Sequence, residues 1–275
     1  MRFRSRPFFS LLGLLLCASL DASAACARYT LAFYELGVLY YRGADGKRQG
    51  IDKDIVDELA RRSGCPFNTV LESRVRIWDQ LSRHALDLSV SGIATAQREE
   101  FAEFVPYFQT RNFALLRRTL LPALATPESF VKQGQSQVAA VKSFKHGALY
   151  DAWLAELRAK NRVVDVADFD QGVRLFRAGR VDALIALPTS WALLLHDPGL
   201  AQQFQVMDWA PQDQLVHGLI MSRQRVSAED RERLRQALNT MISDGTVKSI
   251  FSRHVGETLA AGMLLAQPAP RRAGP

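Results

Sequence analysis

Residues 89–101 read SVSGIATAQREEF. Small and hydroxyl side chains (Ser89, Ser91, Gly92, Ala94, Thr95, Ala96) end an apolar run, and Arg98 follows within a turn, trailed by Glu99 and Glu100. The run LDLSVSG (86–92) has the length and composition of a buried strand. A chain that empties its side chains at a strand end lets something approach its backbone there. Arg98 then sits at the start of a short predicted helix, where free N–H groups and the helix dipole favour an anion. A cation at that position needs something negative to compensate it. Glu99 and Glu100 are one source, as a surface ion pair; a bound carboxylate is the other, since an arginine fork holds one through two parallel charge-assisted bonds.

Outward from this stretch the chain alternates strands and helices. YTLAFYE (29–35) reads as a strand, and DKDIVDELARRSG (52–64) as a helix with Asp52 as its cap, Ile55, Val56, Leu59 and Ala60 on one face and Gly64 as its stop. PFNTVLE then reads as a strand and IWDQLSRHA as a short helix. The second half repeats the alternation, with SQVAAVK (136–142), RVVDVAD (162–168) and VDALIAL (181–187) as strands and helical segments between them. Ser227 opens a long helix with Leu234, Ala237, Leu238, Met241 and Ile242 at helical spacing, and TVKSIFSRHVG forms one more. Apolar strands separated by helices predict α/β architecture with parallel sheets covered on both faces. FALLRR (113–118) and LVHGLIMSR (215–223) are extended segments placed to cross between the halves. Two lobes joined by two such crossings form a hinge around a cleft, which suits a ligand clamp.

The first 24 residues have the three parts of a secretory signal: Arg2, Arg4 and Arg6, an apolar run from Phe8 to Leu20, and Ala22-Ser23-Ala24 as a cleavage site. That run is shorter than the ~20 residues a spanning helix needs. Loss of three arginines and one aspartate takes the formal charge from +7 to +5, with acids interspersed, so neither a nucleic-acid patch nor a membrane-binding helix is expected. Cys26 and Cys65 survive processing; in an oxidising compartment the pair reads as a disulfide, and two buried thiols are the alternative. No metal-ligand cluster, phosphate loop or nucleophile elbow is present, and the five histidines are scattered. The tail QPAPRRAGP is Pro-rich and charged and reads as disordered.

The order of these pieces resembles the periplasmic solute-binding proteins of family 3, the substrate-binding type of amino-acid ABC importers. The resemblance runs over roughly Tyr29 to Gly256. It is carried by Gly50-Ile51-Asp52-Lys53-Asp54 before the first helix, by Thr95-Ala96-Gln97-Arg98 followed by Phe104-Val105-Pro106-Tyr107, by FRAGRVDALIA, and by ISDGTVKSIFSRHVG. It implies the type II two-lobed fold, with two mixed, mostly parallel sheets flanked by helices and joined by two hinge strands. Lobe 1 would hold residues 27–115 and 220–256, lobe 2 residues 118–213, with 257–275 as the disordered tail. It implies a binding role without catalysis or cofactor: a monomer in the periplasm that carries a small carboxylate ligand to a membrane permease. Arg98 would grip the carboxylate, with Ser91, Gly92, the Ile93 backbone and Thr95 offering N–H groups and hydroxyls, in a segment one residue shorter than the family pattern.

Two departures stand out. Amino-acid receptors place an acid a few residues past the V-D-A strand to hold the ammonium; that position here is Leu187, flanked by Ala186 and Pro188. A buried ammonium without a counter-charge is strongly disfavoured. Glu35 is the nearest substitute acid, with a solvated loop residue as its alternative reading. The lobe 2 loop, Lys142-Ser143-Phe144-Lys145-His146-Gly147, is longer and more cationic than the usual turn, so Ser143, Phe144 and His146 are candidate contacts and the charges favour a second anionic group. Tyr34, in the first βα connection, and Trp78, opening the second helix, are the candidate aromatic contacts, with Arg74 and Arg76 close by. A dehydratase on the same fold, or a receptor for a sensor kinase, are the competing functions; the former needs an acid/base pair that only Glu35 and His146 could supply.

Overall fold

The computed structural model describes residues 25–43, 45–194 and 197–265. The expected signal peptide and residues 266–275 of the expected tail lie outside the described residues.

Strand β1 (Tyr29–Phe33) is apolar and buried almost throughout, so it takes a central position, with β4 (Phe67–Leu71) parallel on one side and β5 (Leu88–Ile93) parallel on the other. Between β1 and β4 lie a two-residue hairpin, β2 (Tyr41–Arg42) with β3 (Arg48–Gln49), and helix α1 (Ile51–Ser63). Helix α1 buries Ile51, Ile55, Val56 and Leu59 along one face, each worth roughly 2 kcal/mol of transfer free energy. Its N-cap is Gly50, not Asp52. Asp52 sits further in, fully buried, and its carboxylate turns toward β5 instead of capping the helix. Helix α2 (Arg74–Ser82) follows β4, with the Ser73 hydroxyl accepting from Arg76 N, and helix α3 (Ala96–Glu99) is the single turn after β5.

Strand β6 (Ala102–Thr110) completes one end of the first sheet, and β7 (Phe113–Arg117) begins the second. Lobe 2 then adds α4 (Pro127–Lys132), β8 (Val138–Val141), α5 (Ala148–Ala159), β9 (Val163–Val166), α6 (Phe169–Arg177), β10 (Ala183–Ala186), α7 (Pro188–Leu194), α8 (Pro198–Ala201) and β11 (Phe204–Met207). The chain returns through β12 (Leu215–Ser222) and ends in α9 (Ala228–Ser243), α10 (Thr246–Val255) and α11 (Glu257–Ala261). The sheets have the orders β4-β1-β5-β12-β6 and β11-β7-β10-β8-β9. In each, the βαβ strands pair parallel, while ladders involving the strands that enter from the other lobe are antiparallel. The fold is thus the two-lobed one expected, with mixed sheets.

Two details differ from the sequence reading. The segment 113–117 is a full strand of the second sheet and 215–222 a full strand of the first, so the crossings shrink to residues 111–112 and 208–214. Strand formation captured these residues because both are apolar enough to fill a central slot. Arg111 holds the two crossings together by donating from Nε and Nη2 to the Asp208 carboxylate, at 3.1 and 2.8 Å to Oδ2. Residues 257–265 are ordered: Ala260 and Met263 are buried and Gln109 N donates to Met263 O at 2.8 Å. Cys26 and Cys65 form the disulfide, linking the start of β1 to the loop after α1 across a sequence separation of 39. Among the described residues no helix is long and apolar enough to cross a membrane.

Candidate functional site

The C-terminal ends of β1 and β5 face lobe 2. Thr95 caps α3 by accepting from Arg98 N at 3.3 Å, which turns the Arg98 side chain back over the strand end. Its Nη1 donates to Ile93 O at 2.8 Å in lobe 1, and its Nη2 to Ser143 O at 3.1 Å in lobe 2. The guanidinium carbon lies 3.7 Å from the Trp78 ring centroid. Burial and then the charge of Arg74 lower its pKa to about 10, so it remains a cation. Glu99 and Glu100 do not pair with it; among the described residues Arg98 has no ion-pair partner, its bonds going to carbonyl oxygens.

Arg74 is the site residue that sequence reasoning noted without assigning. Placed at the first position of α2 by the Ser73 cap, it is 6% exposed and points inward. Nη1 and Nη2 donate to Val90 O at 3.3 Å and Ser91 O at 2.9 Å. Its guanidinium carbon stands 4.1 Å from the Tyr34 ring centroid and 5.0 Å from that of Trp78. A buried arginine is rare without a partner; beside Trp78 at helical spacing, that rule was the available signal.

The small residues of β5 serve a different purpose from the one expected. Ser91 has φ 51°, and its hydroxyl points into lobe 1, donating to the Asp52 carboxylate at 2.8 Å with Tyr107 OH doing the same at 2.6 Å. The hydroxyl is therefore engaged behind the strand, and what Ser91 shows to the cleft is its carbonyl oxygen. That oxygen receives Arg74 and stands 3.2 Å from His217 Nδ1. Gly92 is needed for packing: a Cβ there would overlap the Ile220 side chain and come within 3.2 Å of Phe104. Burial raises the Asp52 pKa to about 6, and burial lowers that of His217 to about 4, leaving the imidazole neutral with Nε2 unpartnered.

Lobe 2 supplies Ser143, Phe144, Lys145 and Leu187. Phe144 meets the Tyr34 ring edge-on at 6.0 Å between centroids, and Leu187 closes the wall, 6% exposed. The start of α5, which follows the cationic loop expected to favour a second anionic group, is already filled. Leu149 N donates to Asp213 and His146 N to Asp151, so α5 is capped by the protein's own carboxylates. His146 is buried beside Asp151, its Nδ1 3.4 Å from Oδ1, and does not reach the cavity. Glu35 pairs with Arg48 at the rim and lines the neighbouring clefts with Asp168 and Phe169, away from Arg98.

The structure thus brings together Tyr34, Ser91 (by its carbonyl), Ile93, Arg98, Ser143, Phe144 and Leu187, with Trp78 beneath both arginines. It adds Leu36, Arg74, Asn112, Lys145 and His217. The cavity they enclose is about 20 Å³, room for a single water, and it shares Tyr34, Arg74 and Phe144 with an adjoining cleft of about 300 Å³ that Glu35, Glu72 and Asp168 also line. Of the described residues, Cys26, Cys65 and Asp230 form the one grouping close enough to hold a metal, and its sulfurs are joined to each other.

Two lobes facing each other across this cavity make up a periplasmic-binding-protein-like fold. Residues 38–257 match the bacterial extracellular solute-binding proteins, family 3, and the chain belongs to that family. Among solved structures it is similar to the arginine-, lysine-, histidine-binding protein ArtJ from Geobacillus stearothermophilus, at 17% identity and TM-score 0.68, covering 83% of this chain and 95% of that one. An ancestral arginine-binding protein bound to arginine aligns at 16% identity and TM-score 0.70, covering 85% and 100%. A histidine kinase sensor domain with similarity to periplasmic binding proteins aligns at 16% and 0.69, covering 84% and 97%. No curated protein sequence matches the chain.

Proposed function

We propose that this protein is a periplasmic receptor that takes a small carboxylate-bearing solute between its lobes and delivers it to the permease of an ABC importer. The observation that carries this reading is the position of Arg98: a half-buried guanidinium without an acid partner, reaching one lobe at Ile93 O and the other at Ser143 O. A carboxylate arriving there would take two charge-assisted bonds from the fork and neutralise a charge that carbonyls only solvate. Because Arg98 touches both lobes, the same contact would favour closure, and a ligand can shift such an equilibrium only through differential contacts. Structural relatives are named for binding arginine, lysine and histidine, whereas this cavity has Leu187 and no acid on its walls.

Titration calorimetry of the purified protein against amino acids, monocarboxylates and dicarboxylates tests the reading. At least one carboxylate is expected to bind, and Arg98→Ala to weaken it by about 100-fold, the worth of a charged hydrogen-bonded pair. The unliganded variant should keep its fold. Undiminished binding by Arg98→Ala would remove the site from this cleft.

A further inference from the structure

The cavity carries more positive charge than one carboxylate needs. Arg74 and Arg98 stand over the same indole, their guanidinium carbons 5.0 and 3.7 Å from the Trp78 ring centroid, so the sum of these distances, about 9 Å, is the greatest separation the two can have. Neither makes an ion pair among the described residues; their acceptors are the backbone oxygens of Val90, Ser91, Ile93 and Ser143. Carbonyls and ring faces orient a guanidinium but leave its net charge in place. Lys145 adds a third cation to the inner lining around Arg98, which contains no aspartate or glutamate, whereas Glu35, Glu72 and Asp168 line the adjoining cleft on the far side of Arg74. Asp52 offsets part of Arg74's charge from behind β5, but it is fully buried under Ser91 and Tyr107 and cannot touch a ligand.

We propose that the cleft selects a small organic dianion, a dicarboxylate of about four or five carbons without an amino group, which bridges Arg74 and Arg98. This rests on the receptor reading above and deepens it. An ammonium would face two guanidinium groups at short range. The Ser91 carbonyl, an acceptor it would require, already takes Arg74 and lies beside His217 Nδ1. With no acid on the walls of the inner pocket between Arg74 and Arg98, its desolvation there would go uncompensated. The hydrocarbon between two carboxylates instead meets Tyr34, Leu36, Phe144 and Leu187, which offer apolar surface.

The test compares succinate and glutarate with aspartate and glutamate, which add an ammonium to the same skeletons, and with butyrate, which lacks one carboxylate. Calorimetry on the purified protein is expected to show the dicarboxylates binding at least tenfold tighter than either other set. Arg74→Gln should erase the difference between dicarboxylate and butyrate. Leu187→Asp should invert the preference in favour of aspartate or glutamate, a gain that a folding defect cannot imitate. Equal affinities for succinate, glutarate and butyrate in the natural protein, or tighter binding of the amino acids, would overturn the dianion while leaving the receptor intact if Arg98→Ala still abolishes binding. An Arg74→Gln variant that stays folded and keeps the full dicarboxylate preference would overturn it too. If no carboxylate binds, both readings fall together.

Discussion

Ser91 joins two ionisable groups whose pKa values the fold moves in opposite directions. Its hydroxyl donates to Asp52 and its carbonyl oxygen meets His217. Asp52 titrates near 6 because burial disfavours its charge, so the folded state holds a proton that the unfolded chain releases near 3.8. Its contribution is present below about pH 4 and is lost as pH rises through 6. His217, buried neutral, titrates near 4 against 6.5 unfolded, so its contribution is lost at low pH and gained as pH rises from 4 to 6.5. Each amounts to roughly 3 kcal/mol across its window, and between pH 4 and 6 they oppose each other. Urea unfolding of His217→Phe, which keeps the stacking on Phe108, should show stability falling from pH 4 to 6. In Asp52→Asn stability should rise over the same range. Parallel pH profiles for the two variants would show that these groups do not carry the linkage. Arg74 faces both groups and persists in both variants.

In the elements, the strand end at β5 shows how a sequence pattern can be read correctly and explained wrongly. The small residues did mark the edge of the cleft, yet Ser91 and Gly92 are small for the sake of lobe 1. One must reach Asp52, and the other must clear Ile220 on β12. Those partners are 39 and 128 residues away in sequence, beyond any local pattern. Gly92→Val should therefore destabilise the protein by about 1–3 kcal/mol through overpacking against Ile220 and Phe104. Denaturant titration would detect this without any ligand, and an unchanged midpoint would return Gly92 to a ligand role. The α5 terminus makes the same point, since its cap Asp213 lies in the return crossing and not in the loop that seemed open to an anion.

Across the whole molecule, the lobes meet at Gly37 and α7. Gly37 has φ +50°, and a Cβ there would overlap the Thr189 carbonyl and stand 2.6 Å from Ser190 Cα. This contact and the Arg98 bond to Ser143 exist only when the lobes are together. A substitution at Gly37 can relieve its clash by opening the hinge at residues 111–112 and 208–214. Gly37→Ala is expected to weaken ligand binding at least tenfold while costing the unliganded protein only about 1 kcal/mol for the left-handed backbone. X-ray scattering should show a larger radius of gyration for the variant than for the natural protein at saturating ligand. Equal radii would mean that the Gly37 contact does not control closure.

The alternation of apolar strands with helices, the cysteine pair and the entry of Arg98 into the turn after β5 could be read from the chain, because each is a local or periodic signal. The two segments read as crossings are instead strands β7 and β12. Hydrophobic period sets which residues seek a core, and a short motif sets where an arginine enters a turn. The tertiary structure decided which charges share a space: Arg74 beside Arg98 over Trp78, Asp52 withdrawn behind β5, Glu35 held at the rim by Arg48. These depend on side chains from distant segments meeting across a desolvated cleft, where Coulomb energies grow as water leaves. No spacing along the chain records that meeting, and the proposal of a dianion ligand rests on it.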